Sequence, residues 1–445
     1  MKKILIIKSS KQSTWGSCKV ISPNLVLAYE QNKDFFDIQY FELPESFIRE
    51  EINEGASHII SLANKIKDFE PDSLVFIDHL PHPVRILNTL AYFIVVRSMP
   101  PLVFHMYGDF TYFAKDWANL NTRFKNHPIK FIAASEAQKN LMNFFLNDNK
   151  CTEQYLFPVN ENEYFFNPVE RALFRNQMNV RPMEPVILYS GRISLQKNVD
   201  VLVREFTHIV KATKHDVHLW IVGTFDDIGA TFMGVKNHDG FMYSKMQKVL
   251  SGLDPEVARL VKFLGLQKKG ELRKIKAAAD MFMSFSLYHD EDYGMSPAEA
   301  LASGLPTLLT NWGGYYSFAS GNKWNCKLVP VEITKYGHKI HTKKIHEFYT
   351  DFTQSYINEN DRKRWSNEFL SEFGVVGSAH KLRTILDKDF ENFTGFHWNL
   401  EHFSNLYWAV DIGKEINIHL NPSVDTFYHQ VYKNYIKNLN IENEL

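Results

Sequence analysis

The feature that most constrains the fold is an alternation of short apolar runs with helical patterns. In the first part of the chain, strands are predicted at residues 4–7, 74–77, 102–104 and 131–133. Amphipathic helices are predicted between and after them, at 57–69, 83–96 and 136–147. Alternation of this kind predicts a parallel sheet that is covered by helices on both faces. The sequence therefore predicts an α/β fold built from Rossmann-like domains.

The alternation is interrupted once and then restarts. Residues 157–185 are rich in proline and asparagine, and strands at 186–189, 217–222, 261–264 and 281–286 follow, with helices at 199–209 and 271–279 between them. At 445 residues the chain exceeds the size of one hydrophobic core. We predict an N-terminal domain over 1–165, a linker over 166–185, a second domain over 186–386, and an aromatic-rich, helical tail over 387–445. Ligands of open parallel sheets bind beyond the carboxyl ends of the strands.

Composition excludes several classes of protein. Fifty basic and 51 acidic residues leave a net charge of −1, which gives no bias toward nucleic acid. Cys18, Cys151 and Cys326 are too far apart in sequence for a disulfide framework or a zinc site, so we expect a reducing compartment. The apolar run at 4–7 is short for a signal peptide, and the run at 86–96 is shorter than the ~20 residues that span a bilayer. We expect a cytoplasmic protein whose membrane association, if any, is peripheral and at the inner face.

Two glutamates flank a turn and a helix start in the second half. Glu291 and Glu299 stand on either side of this turn, with Ser296 predicted as the N-cap, Pro297 as the first helical residue and Gly304 as the stop. The N-terminus of a helix suits a phosphate, and acids beside it can accept hydrogen bonds from sugar hydroxyls. The interpretation is a nucleotide-sugar site. The alternative is a plain capping box, in which the glutamate bonds back to the N–H of the cap residue.

Two cations precede these acids in the same domain. Arg192 and Lys197 lie between a predicted strand and a helix that Asn198 could cap. A planar guanidinium and a mobile ammonium at the carboxyl end of a strand suit a diphosphate. The alternative is a pair of solvated loop charges.

Residues 186–330 resemble the retaining glycosyltransferases of the GT-B fold, specifically the GT4 group. The matching elements occur in the family's order: Gly191-Arg192 with Lys197, the glycine-ended strand 219–223, the Glu-x7-Glu motif of Glu291 and Glu299, and the turns 311–314 and 327–330. The resemblance implies two Rossmann-like domains that face each other across a cleft. Two departures are a missing second glycine after Gly223 and a missing glycine near Cys326.

The resemblance also implies roles for individual residues. Arg192 and Lys197 would hold the donor diphosphate and stabilise the leaving group, Glu299 would take the ribose hydroxyls, and Glu291 would contact the donor sugar. The backbone that would face phosphate and sugar belongs to Gly294, Met295 and Ser296. Asp290-Glu-Asp292 has the composition of a hard-cation site. The resemblance implies that cationic side chains and the helix terminus do this electrostatic work, so we expect neither a metal nor a cofactor.

The first domain is expected to bind the acceptor. Trp15-Gly16-Ser17 follows the first strand and is a candidate acceptor loop, although a lone glycine in a loop usually marks a turn.

A histidine of the first domain is the candidate sugar contact. The family carries a His-Gly pair where Tyr107-Gly108 stands, and His105 lies two residues earlier, on the same face of the strand. We predict that His105 contacts the sugar, against the alternative of a structural histidine. His79 and His82 are weaker candidates.

The predicted function is a retaining glycosyltransferase of hexosyltransferase type. It would move a sugar from a UDP- or GDP-sugar to a hydroxyl of a sugar, lipid-linked or protein acceptor, in bacterial-type surface glycan or glycoconjugate synthesis. One alternative is a non-catalytic nucleotide-sugar-binding subunit or scaffold, whose tail contacts a partner or forms an oligomer. A third interpretation, a glycoside hydrolase with Glu291 and Glu299 as its acid and base, fits poorly because one glutamate belongs to a helix start.

Overall fold

The structure is a computed structural model that describes residues 1–10, 16–44, 52–78, 82–108, 110–213, 216–227, 238–287, 291–322, 325–334, 337–354, 358–403 and 429–437. The chain divides into two compact units. Unit 1 comprises Met1–Pro158 and Val375–Ala409, and unit 2 comprises Val159–Gly374 and Val410–Leu445.

The strands come in two sets, and each set builds one main sheet. In chain order they are β1 (Lys2–Ser9), β2 (Phe36–Leu43), β3 (Ser73–Phe76), β4 (Leu102–His105), β5 (Pro128–Ala133), β6 (Thr152–Gln154), β7 (Val186–Ser190), β8 (His218–Val222), β9 (Val261–Gly265), β10 (Met281–Ser284), β11 (Thr307–Thr310), β12 (Cys326–Val329), β13 (Val331–Thr334), β14 (Gly337–Ile340) and β15 (Glu391–Asn392).

Helices separate most of the strands. In chain order they are α1 (Cys18–Glu30), α2 (Ile52–Phe69), α3 (Pro83–Leu90), α4 (Ala114–Ala118), α5 (Leu120–Arg123), α6 (Glu136–Phe145), α7 (Pro168–Gln177), α8 (Val199–Ala212), α9 (Phe241–Ser251), α10 (Pro255–Ala258), α11 (Lys269–Ala278), α12 (Met295–Ala302), α13 (Lys343–Gln354), α14 (Glu359–Phe373) and α15 (Val375–Asp387). Short 3-10 helices are Val96–Ser98, Phe110–Phe113, Leu195–Lys197, Gly313–Asn322 and Lys433–Tyr435.

Each unit contains a parallel sheet, as the alternation predicts. The sheet of unit 1 has the order β15-β5-β4-β3-β1-β2, with β6 also paired to β5, and β15 is antiparallel to β5. The sheet of unit 2 has the order β12-β11-β10-β7-β8-β9, and its strand pairs are parallel. Central strands such as β3, β4, β7 and β10 are buried along their whole length. Burial on both faces explains why they read as continuous apolar runs.

The core of unit 2 forms where α8 packs on the sheet. Val199, Leu202, Phe206 and Ile209 share one face of α8 and are almost completely buried. They belong to the same cluster as apolar side chains of β7, β8 and β10. The predicted apolar face of this helix is confirmed.

The predicted linker contains a helix. Asn167 caps α7, because its side-chain oxygen accepts hydrogen bonds from the N–H groups of Val169 (3.0 Å) and Glu170 (3.3 Å). Pro168 is the first helical residue, where its missing N–H has no cost. Arg175 of α7 contacts Asp280 at 3.0 Å, so the helix is part of unit 2. Proline and asparagine, read as breakers, here mark a helix start.

The chain returns to unit 1 earlier than the predicted domain boundary at 386. Helix α15 belongs to unit 1, where Asn32 donates to the carbonyl of Ala379 at 3.0 Å. The following β15 extends the sheet, and Phe393 and Phe396 pack on Phe131 with ring centroids 6.0 and 5.8 Å apart. The sequence left open where the tail packs. Its part up to 403 lies on unit 1, and residues 429–437 lie on unit 2.

A buried arginine joins two helices of unit 2. Arg362 of α14 donates to the carbonyls of Ala277 (2.9 Å) and Ala279 (2.8 Å) at the end of α11, and to that of Gly304 (3.3 Å) after α12. Its guanidinium also stacks on Phe166, 4.2 Å from the ring centroid. Carbonyl groups at helix ends lack intrahelical donors, and one side chain supplies several of them here.

Candidate functional site

Two loops at the carboxyl end of the unit 2 sheet touch through their backbones. Gly223, after β8, has a φ of +143°, and a Cβ built on it would lie 1.8 Å from the carbonyl oxygen of Gly191, after β7. Only glycine permits this approach. Ile193 donates to Thr224 at 2.8 Å, and Asp226 donates back to Ile193 at 3.0 Å. The two loops therefore form a rigid pair.

This pairing fixes the first cation. Arg192 forms an ion pair with Asp226, with 2.8 Å between Nη1 and Oδ2, and donates to Gln196 at 3.3 Å. About a third of the Arg192 side chain is exposed, so it can meet an anion from solvent. The ion pair with Asp226 holds the Arg192 guanidinium beside the end of β7.

The second cation meets one of the two glutamates. Lys197 ends the 3-10 helix Leu195–Lys197, and its ammonium forms an ion pair with the Glu291 carboxylate. Asn198 follows with a φ of 50°, which turns the chain into α8. Asn198 occupies the predicted cap position, but its side chain donates to the carbonyl of Phe285 at 2.9 Å instead of capping α8.

Glu291 is held by the glycine pair of the 311–314 turn. Gly314 donates to the Glu291 carbonyl at 2.7 Å, and a Cβ on Gly313 would lie 2.2 Å from that oxygen. Glu291 is almost completely buried. Burial raises the pKa of Tyr315, and the nearby charge of Glu291 adds to this shift.

The predicted start of α12 is wrong by two residues. The helix begins at Met295 behind Gly294, whose φ is +100° and whose Cβ would lie 2.6 Å from the Tyr315 ring. Ser296 is thus inside the first turn, and its hydroxyl shares a hydrogen bond with Ser190 at the end of β7. This contact joins the helix start to the loop of Arg192. The predicted stop at Gly304, with a φ of +65°, is confirmed.

Glu299 forms neither a capping box nor a contact with the predicted cations. Its carboxylate pairs with Lys276 of α11, which is fully buried and lies 4.7 Å from the ring centroid of Tyr164. Burial lowers the pKa of Lys276, while the Glu299 charge opposes that shift. Burial and the Glu299 charge raise the pKa of Tyr164. Sequence reasoning missed Lys276, because its partner Glu299 belongs to a different helix.

His105 lies in the core of unit 1. It is 4% exposed, and its Nε2 is 2.8 Å from the hydroxyl of Tyr29, with the rings of Tyr29 and Tyr155 packed against it. Burial lowers the pKa of His105 to about 3, which keeps the imidazole neutral. This placement favours the structural alternative over a sugar contact. His82, a weaker candidate, is also buried and caps α3, while His79 lies outside the described residues.

Polar side chains gather at the carboxyl ends of β1, β3 and β4. Asp78 accepts hydrogen bonds from the Ser9 N–H (2.8 Å) and the Ser22 hydroxyl, and Ser22 lies 3.5 Å from the hydroxyl of Tyr107. Tyr107 occupies the position where the resembling family has histidine. Sequence reasoning did not identify Asp78 or Ser22, which become neighbours only through the sheet.

The candidate acceptor loop is described in part. Trp15 lies outside the described residues, and Gly16 and Ser17 are exposed at the start of α1. Nothing lies within 4 Å of a Cβ built on Gly16, so local packing does not require glycine there.

Neither a metal cluster nor a membrane span is found in the described part of the chain. Asp290 is outside it, and no three His, Cys, Asp or Glu residues within it are arranged to hold a metal ion. No helix among the described residues is long and apolar enough to cross a bilayer.

Comparison with known proteins bears on the same region. The sequence profile of the family Glycosyl transferases group 1 matches residues 170–364, which include both cations and both glutamates. The chain is 28% identical over 145 residues to an uncharacterized glycosyltransferase, MJ1607, of Methanocaldococcus jannaschii, covering 33% of this chain and 32% of that protein. It is 30% identical over 149 residues to a D-inositol 3-phosphate glycosyltransferase of Mycolicibacterium gilvum, covering 34% and 29%. The chain spans about a third of the length of these relatives.

Solved structures establish the fold. The structure resembles Anabaena Alr3699/HepE in complex with UDP, with a TM-score of 0.62 and 16% identity over 87% of this chain and 99% of that one. It resembles a glycosyltransferase from Rickettsia africae with a TM-score of 0.59 and 14% identity over the same shares. The predicted fold class, with two Rossmann-like α/β domains of the GT-B type, is confirmed. Residues 170–364 are thus similar to the glycosyl transferases group 1 family, in the region where the sequence resembles such enzymes.

Proposed function

We propose that the protein is a retaining glycosyltransferase that moves a sugar from a nucleoside-diphosphate sugar to an acceptor hydroxyl. The observation that carries this proposal is the ion pair of Lys197 with Glu291, beside the loop that presents Arg192. Two cations and a carboxylate thus lie at the carboxyl end of a parallel sheet, where ligands of such folds bind.

The electrostatics suit a departing diphosphate. Lys197 is 21% exposed and Glu291 is 6% exposed, so an entering phosphate can reach the ammonium while the carboxylate stays sheltered. During transfer the bond between the anomeric carbon and the phosphate oxygen breaks, and its electron pair leaves with the diphosphate. The oxygen of the acceptor hydroxyl bonds to the anomeric carbon from the same face, and its proton passes to the departing phosphate. Lys197 and Arg192 would stabilise that negative charge, and Glu291 would face the sugar. Such pre-positioned charges lower the barrier because they need little reorganisation.

The donor is proposed to be a UDP- or GDP-sugar, used without a metal or a cofactor. Support for UDP comes from Alr3699/HepE, whose solved structures contain UDP, UDP-glucose, or UDP with glucose. Lys197 and Arg192 would supply the positive charge that a metal supplies elsewhere.

The acceptor is proposed to bind unit 1 and to be a sugar, a lipid-linked molecule or a protein of a surface glycan pathway. Asp78, Ser22 and Tyr107 offer hydrogen-bonding groups at the carboxyl edge of its sheet. Gly16 and Ser17 begin α1 near the end of β1 and remain candidates for the acceptor loop. Because His105 is buried, Tyr107 is the better candidate for a sugar contact.

A non-catalytic nucleotide-sugar binder is the second candidate. One observation favours it: His105, the residue predicted to contact the sugar, is buried. Thermal-shift assays with UDP-, GDP- and ADP-glucose identify the donor class, since a ligand that binds the folded state raises apparent stability. Release of nucleoside diphosphate in the presence of glycan acceptors then separates the two candidates. Donor binding without release under any acceptor would favour the binder, and no binding would reject both.

A further inference from the structure

We propose that residues 429–437, here called the C-terminal segment, position the loop that presents Glu291. The role of Glu291 toward a donor sugar rests on the proposed function. The mechanical coupling between the C-terminal segment and that loop does not, because it follows from contacts within unit 2.

One asparagine side chain clamps the backbone of the C-terminal segment. Asn311 donates through Nδ2 to the carbonyl of Lys437 at 2.7 Å, and its Oδ1 accepts from the Lys437 N–H at 3.1 Å. The Tyr316 hydroxyl donates to the carbonyl of Asn434 at 3.3 Å. Asn311 is 2% exposed, so water does not compete well for these bonds. The segment is held in one register.

Aromatic packing adds a second anchor. The ring of Trp312 lies 5.4 Å from that of Tyr435 in an edge-to-face arrangement and 6.5 Å from that of Tyr432 in a stacked one. Val431, Tyr432 and Tyr435 are completely buried. The C-terminal segment therefore covers Trp312, and removing it would expose this indole to water.

The covered tryptophan continues directly into the loop that holds Glu291. Gly313 and Gly314 follow Trp312, and Gly314 donates to the Glu291 carbonyl at 2.7 Å. A Cβ on Gly313 would lie 2.2 Å from the Glu291 oxygen, and a Cβ on Gly314 would lie 2.3 Å from that of Asp292. Backbones this close cannot move independently, because packed interiors leave no free space. A shift of Trp312 must move Glu291.

The first experiment measures this coupling without any ligand. Hydrogen–deuterium exchange of the Gly314 amide is compared among the wild type, Tyr435→Ala, Tyr435→Phe and Lys433→Ala. The alanine variant should exchange about tenfold faster or more, because loss of the ring loosens the loop. Tyr435→Phe keeps the ring, and Lys433 is exposed on the same segment, so both should match the wild type. Exchange of Tyr435→Ala at the wild-type rate would overturn the coupling.

A second variant protects the test against misfolding. Asn311→Ala removes both hydrogen bonds to Lys437 without introducing a buried charge. It should also accelerate exchange at Gly314, and unchanged exchange in this folded variant would count against the proposal.

The second experiment asks whether the coupling reaches the donor. Calorimetry gives the Kd of UDP and of UDP-glucose for the wild type and for Tyr435→Ala. UDP-glucose should weaken by about fivefold more than UDP, since Glu291 is assigned to the sugar and not to the nucleotide. Equal weakening of both would overturn the specific role. A wild type that binds neither UDP nor UDP-glucose would contradict the proposed UDP donor, while the exchange result would still stand.

Discussion

Two of the lysine–glutamate pairs in the described part of unit 2, Lys197–Glu291 and Lys276–Glu299, differ mainly in the exposure of the lysine. Lys197 is 21% exposed and Lys276 is 0% exposed, whereas Glu291 and Glu299 are 6% and 7% exposed. A partly exposed ammonium can exchange its carboxylate for an arriving phosphate. A fully buried ammonium cannot, because leaving its partner would strand a charge in the interior. Two similar ion pairs therefore serve different purposes: the first suits ligand exchange, and the second holds α11 against α12.

The largest effect is expected from a substitution that breaks the buried pair of Lys276 with Glu299. Lys276→Met should lower the free energy of unfolding by about 3–5 kcal/mol, because Glu299 would remain buried without a counter-charge. Urea denaturation followed by circular dichroism measures this loss.

The double replacement separates charge from packing. Lys276→Met combined with Glu299→Met should recover most of the lost stability, since a buried ion pair can be replaced by apolar groups at little cost. A double variant as unstable as Lys276→Met alone would show that packing, not the unpaired charge, causes the loss.

The pair of the partly exposed Lys197 with Glu291 should affect catalysis more than stability. Lys197→Ala should lower kcat by about 10²–10³-fold, because one pre-positioned charge on the leaving group is lost. Its free energy of unfolding should fall by less than that of Lys276→Met, because solvent reaches the 21% exposed Lys197 position and can partly solvate the Glu291 carboxylate left there. Steady-state kinetics and denaturation test both statements, with the exposed Lys248→Ala as a control. A kcat near that of the wild type would remove Lys197 from the mechanism.

His105 is a buried titratable group that, unlike Lys197 and Lys276, has no carboxylate among its described contacts. The pKa of His105 is about 3 in the folded protein, below its ordinary value of 6.5, because of burial. Below pH 6.5 the unfolded chain binds a proton that the folded protein does not, so stability falls as the pH drops toward 3. The slope is about 1.4 kcal/mol per pH unit. His105→Gln should reduce the acid-side slope of the unfolding free energy by this amount between pH 6 and 4, and an unchanged slope would contradict it.

The smallest expected effect concerns the ion pair of Arg192 with Asp226. Asp226 holds Arg192 at 2.8 Å, and both side chains are partly exposed. Asp226→Asn should tighten UDP binding by a factor of about two to five, because the guanidinium no longer has a competing carboxylate. Titration calorimetry measures the Kd, and weaker binding would instead show that Asp226 orients Arg192 for the donor.

The sequence was most informative where a motif is local. Close backbone approach, which only glycine permits, is required at Gly191-Arg192, at Gly223 and in the 311–314 turn. The glycines in the sequence are therefore enough to identify these motifs. Strands β1, β3, β4, β5 and β7 to β10 were predicted, mostly because burial on both faces leaves continuous apolar runs, whereas β6, β11 and β12 were not. Strand β2 and helix α1 were missed, since β2 is only partly buried and α1 contains Pro23.

The remaining features depend on tertiary contacts. The Ser296 and Glu299 spacing fits a capping box, but Glu299 has a stronger partner in Lys276, which comes from a different helix. Strand alternation places His105 on the same face as position 107, where the resembling family has its histidine. The side chain of Tyr29 from α1 covers His105 there. The helix in the predicted linker was missed because Pro168 is both a breaker and a helix start.

The position of Arg362 has a consequence for how the protein is made. Lys276 and Glu299 leave the ribosome well before residue 362, so their ion pair can join α11 to α12 before the Arg362 guanidinium is present. A nascent chain, or a fragment cut before α14, should therefore hold the C-terminal ends of these two helices less firmly than the full chain does. A lysine at 362 could not substitute, because its point charge lacks the planar set of five N–H donors that spans several carbonyls.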